Sequence, residues 1–429
     1  FYQAIRMTQG ALPYRDFFFA HPPVHLLVPA AVFGVTGFSV AVAKSIPVLA
    51  QGLAGLMLYL AVRRASRTLA PLVLILHLTA YEVLMASGDM NGENLMTLFL
   101  MGSLLTAVSG RFLIAGALSG LALGCGMYAL ATVAAIGIAA CFVRPRVWPR
   151  FLAGFALVFG GLMALFATIG GASFFESVFA YHAAKEVRSA DQMPVLDGGN
   201  VAMIPVAVVH NFFAFLRDKP FLKALHFHAV LFFAAVLALV GVVRSPHPWS
   251  PRDLLQPSRT GLVKWAWLAV LLNLAQMGSL NEVYDFYMVP LLVALAIPAA
   301  DGLLRLYEGV RDAICWRDLG LVAVMAAVFA LHGPTSDALS WHLWPEEAAQ
   351  PDSEVQYRWR DLQLIPGLSG VVKTLYFKDH RIRGLREPPW RHYVWNKSLT
   401  FSTADDLAVF IREHTDPDET ITGASTYAP

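Results

Sequence analysis

Charge is what this 429-residue chain has least of. Only 14% of its residues are Asp, Glu, Lys or Arg, 57% are hydrophobic, and the mean hydropathy is +0.55. Soluble globular domains carry about 25% charged residues, so that class is excluded and a polytopic membrane protein remains. The formal net charge of +2 is too small to indicate a nucleic-acid partner. Cysteine is scarce too. Cys125, Cys141 and Cys315 lie in or beside apolar segments without zinc-type spacing, so no disulfide framework is expected. No internal repeat, low-complexity tract or signal peptide is visible. The chain opens on Phe1 and stops at Tyr427-Ala428-Pro429 without a helix end or a polar tail. Both ends are therefore expected to be cut from a longer polypeptide.

What is present is a series of long apolar runs. A membrane helix needs about 20 mostly apolar residues, and ten candidates fit: 43–62, 68–87, 94–109, 112–125, 127–142, 151–170, 226–243, 265–280, 287–304 and 319–333. Two further stretches, 24–39 and 200–216, are expected to lie in the interface rather than cross. Lys and Arg gather in Arg63–Arg67, Arg144–Arg150, Arg244–Lys264 and Arg305–Asp318. The positive-inside rule puts these loops in the cytoplasm, and ten crossings keep all four on that side. The opposite side receives external loops at 1–42, 88–93, 171–225 and 281–287. The expected organisation is a transmembrane domain over 1–333 and a small external α/β domain over 334–429. The latter holds a strand near 371–377 and an amphipathic helix near 403–414.

Within this apolar background the ionisable residues stand out. The string Pro13-Tyr14-Arg15-Asp16-Phe17-Phe18-Phe19-Ala20-His21-Pro22-Pro23 precedes an apolar run. Arg or Asp at a membrane helix centre costs roughly 2.5–3.5 kcal/mol, so such groups beside a bilayer face a cavity or water. Asp16, Asp89 with Glu93, and Glu282 with Asp285 put carboxylates on three external loops. Asp89 and Glu93 are four residues apart, which on a helical turn gives one face. Such a pair can bind a divalent cation or share a proton, leaving one group competent as a base. For each acid alone, an ordinary solvated loop residue is the competing explanation. Lys44, with Arg6 and Arg15, is on the same side. It either snorkels or anchors a lipid-linked phosphate at headgroup level. His77 and Glu82 are intramembrane ionisable groups of second rank. His21 with His25 is a poor metal pair across Pro22-Pro23. His226 and His228 are expected at the interface, as are Trp265, Trp267 and Tyr287 in an aromatic belt.

Gly10-Ala11-Leu12-Pro13-Tyr14-Arg15-Asp16-Phe17, followed by His21-Pro22-Pro23, resembles the first external loop of the GT-C superfamily. More narrowly, it is similar to bacterial members related to protein O-mannosyltransferases and to the aminoarabinose and galacturonic acid transferases of lipid A. Lys44 matches the basic residue that opens that family's next helix. Arg63–Arg67 and Asp89–Glu93 match its basic inner and acidic outer loops. Tyr284-Asp285-Phe286-Tyr287-Met288-Val289-Pro290 is similar to its later aromatic turn. The first loop is specific in sequence; the rest is generic. An Asp-Glu pair that ends the family's first membrane helix is missing, which agrees with a cut N-terminus and puts the expected catalytic acid outside this sequence.

The resemblance implies an all-α polytopic membrane protein of about ten helices here plus one upstream, carrying the external C-terminal domain. It implies transfer of a sugar from a polyprenyl-phosphate donor to a lipid, glycan or protein acceptor, by inversion, at the outer face of a bacterial inner membrane. Asp16, Asp89 and Glu93 are the catalytic candidates. Arg15, His21, Lys44, Tyr284, Asp285 and Tyr287 are the substrate-binding candidates. A divalent metal is compatible but not required, and Asp89 with Glu93 would hold it. Two other readings fit the helices: a transporter or flippase of lipid-linked sugars, and a non-catalytic assembly subunit. Transporters place ionisable groups near the midplane of broken helices, whereas most candidates here lie at helix ends.

Overall fold

Hydrocarbon offers no hydrogen bonds, so each apolar run must satisfy its backbone within itself, and helices follow. The structure, a computed structural model, describes residues 1–87, 90–143, 145–181, 215–216, 228–244, 253–280, 285–311, 394–396 and 399–400. Among these, helix α1 (Tyr2–Thr8) leads through a loop to α2 (Val24–Thr36), then α3 (Val40–Ala65), α4 (Leu69–Thr79) and α5 (Tyr81–Ala86). Next come α6 (Gly92–Val108), α7 (Phe112–Cys125), α8 (Leu130–Val143), α9 (Trp148–Phe155), α10 (Gly161–Gly170) and α11 (Ala172–Phe175). After residues outside the description follow α12 (Ala229–Val243), α13 (Arg259–Gly278) and α14 (Val289–Arg311). A hairpin of β1 (Val394–Asn396) and β2 (Leu399–Thr400), paired antiparallel, is what the description holds of the expected external domain. The strand near 371–377, the helix near 403–414 and the span 319–333 lie outside the described residues.

Most of the expected spans coincide with helices, with three corrections. The run 68–87 is not one helix. It breaks at Ala80, whose ψ of 129° is extended, so α4 and α5 are separate pieces. The run 265–280 starts earlier, at Arg259, because Ser258 caps it: the Ser258 hydroxyl accepts from Gly261 N at 3.1 Å. Trp265, expected in an interfacial belt, is fully buried in the bundle. Helix α2 has 13 residues and spans about 20 Å at 1.5 Å per residue, short for a crossing.

Helix α14 is the axis. Over Val289–Ala300 it is apolar on every face, and the helix packs against α4, α6, α12 and α13, as an all-round hydrophobic stretch must. Its one deeply buried charge, Asp301, sits between Arg259 of α13 and Arg305 one turn on; Arg305 Nε donates to Asp301 Oδ2 at 2.6 Å. Beside this axis α3 and α6 pack side by side. Elsewhere small residues let backbones touch. A Cβ on Gly116 of α7 would lie 1.9 Å from the Phe151 carbonyl oxygen of α9, and one on Gly154 of α9 would lie 2.1 Å from that of Leu113. This reciprocal contact is the small-residue packing that substitutes for a hydrophobic driving force in lipid. Polar side chains add cross-links: Ser103 to Ser119 at 2.8 Å, and Asn273 Nδ2 to Thr132 Oγ1 at 2.9 Å.

Gly116→Val and Gly154→Val are each expected to lower the unfolding temperature in detergent, through a destabilisation of roughly 1–3 kcal/mol or more from overpacking. Gly160→Val, with nothing within 4 Å of its Cβ, is expected to leave it unchanged. Equal effects from all three would contradict the backbone contact. Asp301→Ala is expected to cost about 1–3 kcal/mol, read from the same unfolding curves, because Arg305 loses its bond to Asp301 while Arg259 keeps Glu308.

Candidate active site at the start of α6

The loop before α2 is built around Tyr14. Leu12 N donates to Asp16 Oδ2 at 2.8 Å, Asp16 N to the Leu12 carbonyl at 2.9 Å, and Tyr14 N to the Phe17 carbonyl at 2.9 Å. This tight turn holds Tyr14 at φ 68°, left-handed for a residue with a bulky side chain, at roughly 1–3 kcal/mol of strain. The surroundings over-determine it. The Tyr14 ring is buried edge-on to Phe166 and Phe174, and its hydroxyl donates to the His21 carbonyl at 2.6 Å. Burial pushes the Tyr14 phenol well above its ordinary value.

Arg15 and Asp16, the two charges of the loop, meet each other. Arg15 Nε donates to Oδ1 at 2.9 Å and Nη2 to Oδ2 at 2.8 Å. The Arg15 guanidinium first, and the Leu12 N–H second, hold the Asp16 carboxyl down at about 2. Both carboxylate oxygens are thereby engaged at an exposed position. From Tyr14 a chain of rings runs inward: Phe19 lies 5.7 Å from both His21 and His25, and the two histidines are 6.2 Å apart.

His25 ties this loop to the start of α6. Its Nε2 faces the Met90 carbonyl at 3.3 Å, which only accepts, so Nε2 carries the proton. Gly92 is wedged where a Cβ would sit 2.9 Å from the Cys125 carbonyl oxygen and 3.4 Å from His25 Nδ1. The next residue is Glu93, in the first turn of α6 and 7% exposed. A carboxylate there is favoured by the helix N-terminus. Asn94 beside it is fully buried, accepts from Gln51 Nε2 of α3 at 3.0 Å and donates to the Ala86 carbonyl at the end of α5 at 3.0 Å. Lys44 is seven residues before Gln51 on α3, two turns along the same face, and half-buried.

Tyr287 stacks on Tyr128 with ring centroids 3.7 Å apart, and the 3₁₀ turn Asp285–Met288 packs against α5. Glu82 of α5 in turn bonds Nε2 of His228, and both side chains are buried. The expectation that His228 is interfacial is thus corrected, and Glu82, ranked second among the intramembrane ionisable groups, has it as a buried partner. Tyr287 likewise is buried rather than part of a belt. His77 is buried against Gly55.

Of the predicted site residues, the structure sets His21 beside His25, places Gly92, the neighbour of Glu93, against His25, and brings Tyr287 to α5. Arg15 and Asp16 pair with each other on the loop above. Asp89 and Tyr284 lie outside the described residues, as do Glu282 and the side chain of Asp285. Among the described residues no three His, Cys, Asp or Glu side chains gather as a metal site, and Asp89, half of the suggested metal pair, is not among them. Sequence reasoning missed Asn94, Gln276 and the partner of Glu82. Gln276 accepts from Ala131 N at 2.9 Å and donates to the Met127 carbonyl at 3.0 Å, sealing the break between α7 and α8 beside Tyr128.

Because Asp16 is held down, its contribution to the turn is full above its ordinary value of 3.8 and is lost as pH falls through about 2. A spin label on Phe18→Cys, with Cys141 and Cys315 replaced by Ser, is expected to stay immobile from neutral pH to about pH 4 and to loosen only towards about pH 2. Asp16→Asn is expected to loosen it at every pH. Loosening of the parent loop already above pH 4 would contradict the Arg15–Asp16 brace.

No protein-family model matches the sequence, and no curated protein does. In three dimensions the chain is similar to ArnT from Cupriavidus metallidurans, seen in a crystal structure with undecaprenyl phosphate bound. The TM-score is 0.53 at 15% identity, over 98% of this chain and 76% of that one. The chain thus has the fold of a GT-C membrane glycosyltransferase and is a multi-pass membrane protein.

Proposed function

We propose that the chain is a membrane glycosyltransferase that moves a sugar from a polyprenyl-phosphate carrier to an acceptor hydroxyl, at the face where α6 begins. The observation that carries this is the extent of the fold likeness, 98% of the chain, to a structure bound to undecaprenyl phosphate. The buried Glu93 at the outer ends of the helices supports it. In this reading the acceptor oxygen attacks the anomeric carbon, its proton passes to a carboxylate, and the bond from that carbon to the phosphate oxygen breaks. Glu93 and Asp89 are cast as the proton-accepting carboxylates. Lys44 is cast as the cation that stabilises the carrier phosphate as it leaves.

Arg15 and Asp16 reach this chemistry as a pair. Arg15 retains outward-facing donors, with 54% of its side chain exposed, and Asp16 fixes its direction. His21, Tyr284, Asp285 and Tyr287 are cast as sugar- and carrier-contacting groups, and any divalent metal would fall to Asp89 and Glu93. The reading extends to inversion at the sugar, to a bacterial inner membrane with the site on its outer face, and to a transmembrane domain over 1–333 followed by an external domain.

The test is transfer of radiolabelled sugar from a polyprenyl-phosphate donor by full-length protein in proteoliposomes. Glu93→Gln is expected to lower kcat by at least about 100-fold, the lower range for a general base, with the fold intact by size exclusion. Undiminished transfer in a Glu93→Gln, Asp89→Asn, Asp16→Asn triple variant would overturn the roles. Donor crossing the bilayer unconsumed, with no transfer to any acceptor, would favour a flippase instead.

A further inference from the structure

The helix ends opposite Glu93 carry a second feature that the transfer chemistry does not use. A cavity of ≈ 580 Å³ lies between the end of α3 and the α6–α7 turn, lined by Leu60, Arg63, Arg64, Arg67, Leu105, Thr106, Ser109 and Arg111. Four arginines line it and no acid does. Arg63 and Arg64 fall in the last turn of α3, where they also complement the helix dipole. That accounts for two of them at most. Arg67 lies beyond the helix, and Arg111 is the residue before the first turn of α7, a helix N-terminus that itself favours anions. Unneutralised like charges around one cavity repel each other unless an anion joins them.

The lining is polar at one end and apolar at the other, which narrows the ligand. Leu60 belongs to a stripe on α3 made of Leu49, Leu53, Leu56 and Leu60, which are 61%, 45%, 47% and 37% exposed. The spacing of four, three and four residues keeps them on one face of the helix. The stripe runs straight from the bilayer-embedded part of α3 into the arginine cavity. The cavity sits level with Ser109, sixteen residues along α6 from Glu93, about 24 Å at 1.5 Å per residue. That is close to the hydrocarbon thickness of a bilayer, about 30 Å. An oxyanion at this level, with acyl chains along α3, satisfies both ends of the site. Guanidinium forks bind phosphate oxygens bidentately.

We infer that Arg63, Arg64, Arg67 and Arg111 form a binding site for the phosphate headgroup of an anionic phospholipid, whose acyl chain lies along the Leu49–Leu60 face of α3, on the membrane side opposite the carboxylate cluster. The site is independent of the transferase reading: it requires neither donor nor acceptor.

The experiment is native mass spectrometry of the full chain, purified, delipidated in detergent and titrated with phosphatidylglycerol or phosphatidylcholine. Phosphatidylglycerol is expected to be retained at about 10-fold lower concentration than phosphatidylcholine, in keeping with the pull of several arginines on an anionic headgroup. An Arg63→Gln, Arg67→Gln, Arg111→Gln variant is expected to lose that preference. Arg146→Gln, Arg150→Gln, which removes two exposed arginines far along the chain from the cavity, is expected to keep it. Equal loss in both variants would mean general charge attraction and would overturn the site. Should the triple variant fold poorly, Arg111→Gln alone is expected to weaken retention, and unchanged retention there with native folding also overturns it. Inorganic phosphate raising the unfolding temperature as far as phosphatidylglycerol does, through the same arginines, would assign the cavity to a free phosphate and overturn the lipid.

Discussion

Asn94 holds three segments with one amide. Its oxygen takes the Gln51 proton from α3 and its nitrogen gives one to the last carbonyl of α5. It sits with no exposure in an apolar bundle, where an unmatched amide group costs several kcal/mol. The pairing is therefore obligatory, and it sets the height of α3 relative to α6. That height decides where Lys44 stands relative to Glu93 at one end. It also decides how Arg63 and Arg64 stand relative to Ser109 and Arg111 at the other. Both proposed sites depend on one register fixed near the start of α6.

The same logic explains the rest of the polar interior. Helices packed in lipid gain little from burying apolar surface against each other. Position along the axis must come from close backbone contact or from polar groups with a single partner. Gly116 and Gly154 supply the first between α7 and α9, while Ser103 with Ser119 and Asn273 with Thr132 supply the second. Asp301 between Arg259 and Arg305 does this for α13 and α14. The Glu82–His228 pair does it for α5 and the start of α12. Such devices fix position without supplying much stability.

This division also sets what a single sequence reveals. Apolar runs report helices directly, because length and composition are local, so α3, α6, α7, α8 and α14 fall where the runs do. Breaks are less legible. Ala80 is an ordinary helix former, and nothing local says that the chain turns extended there. The seal made by Gln276 on Met127 and Ala131 joins residues about 145 apart, and the Glu82–His228 pair joins residues 146 apart, distances no periodicity encodes. A partial signal existed for the acids. Glu82 and Asp301 are ionisable groups in apolar runs, which by itself calls for a partner, and for Asp301 an arginine four residues on was in view. The loop at 13–23 was legible as a motif. Its internal geometry was not, since the position of Tyr14 depends on Phe166 and Phe174 from far along the chain.

That loop bears on how labour is divided among the carboxylates. A general base needs a lone pair directed at the substrate and enough basicity to take a proton. Asp16 has both oxygens engaged by Arg15 and the Leu12 amide and is held at about 2, so it is a weak base. The same contacts make it a strong brace. They close the turn that carries the strained Tyr14, and Tyr14 in turn bonds the His21 carbonyl. His21 stands beside His25, and His25 grips the Met90 carbonyl just before α6. The most distinctive string in the sequence thus acts on the proposed chemistry through geometry. It fixes the entrance to α6, where Glu93, shielded from water and at the positive end of a helix, is better placed than Asp16 for the proton-accepting role proposed for it.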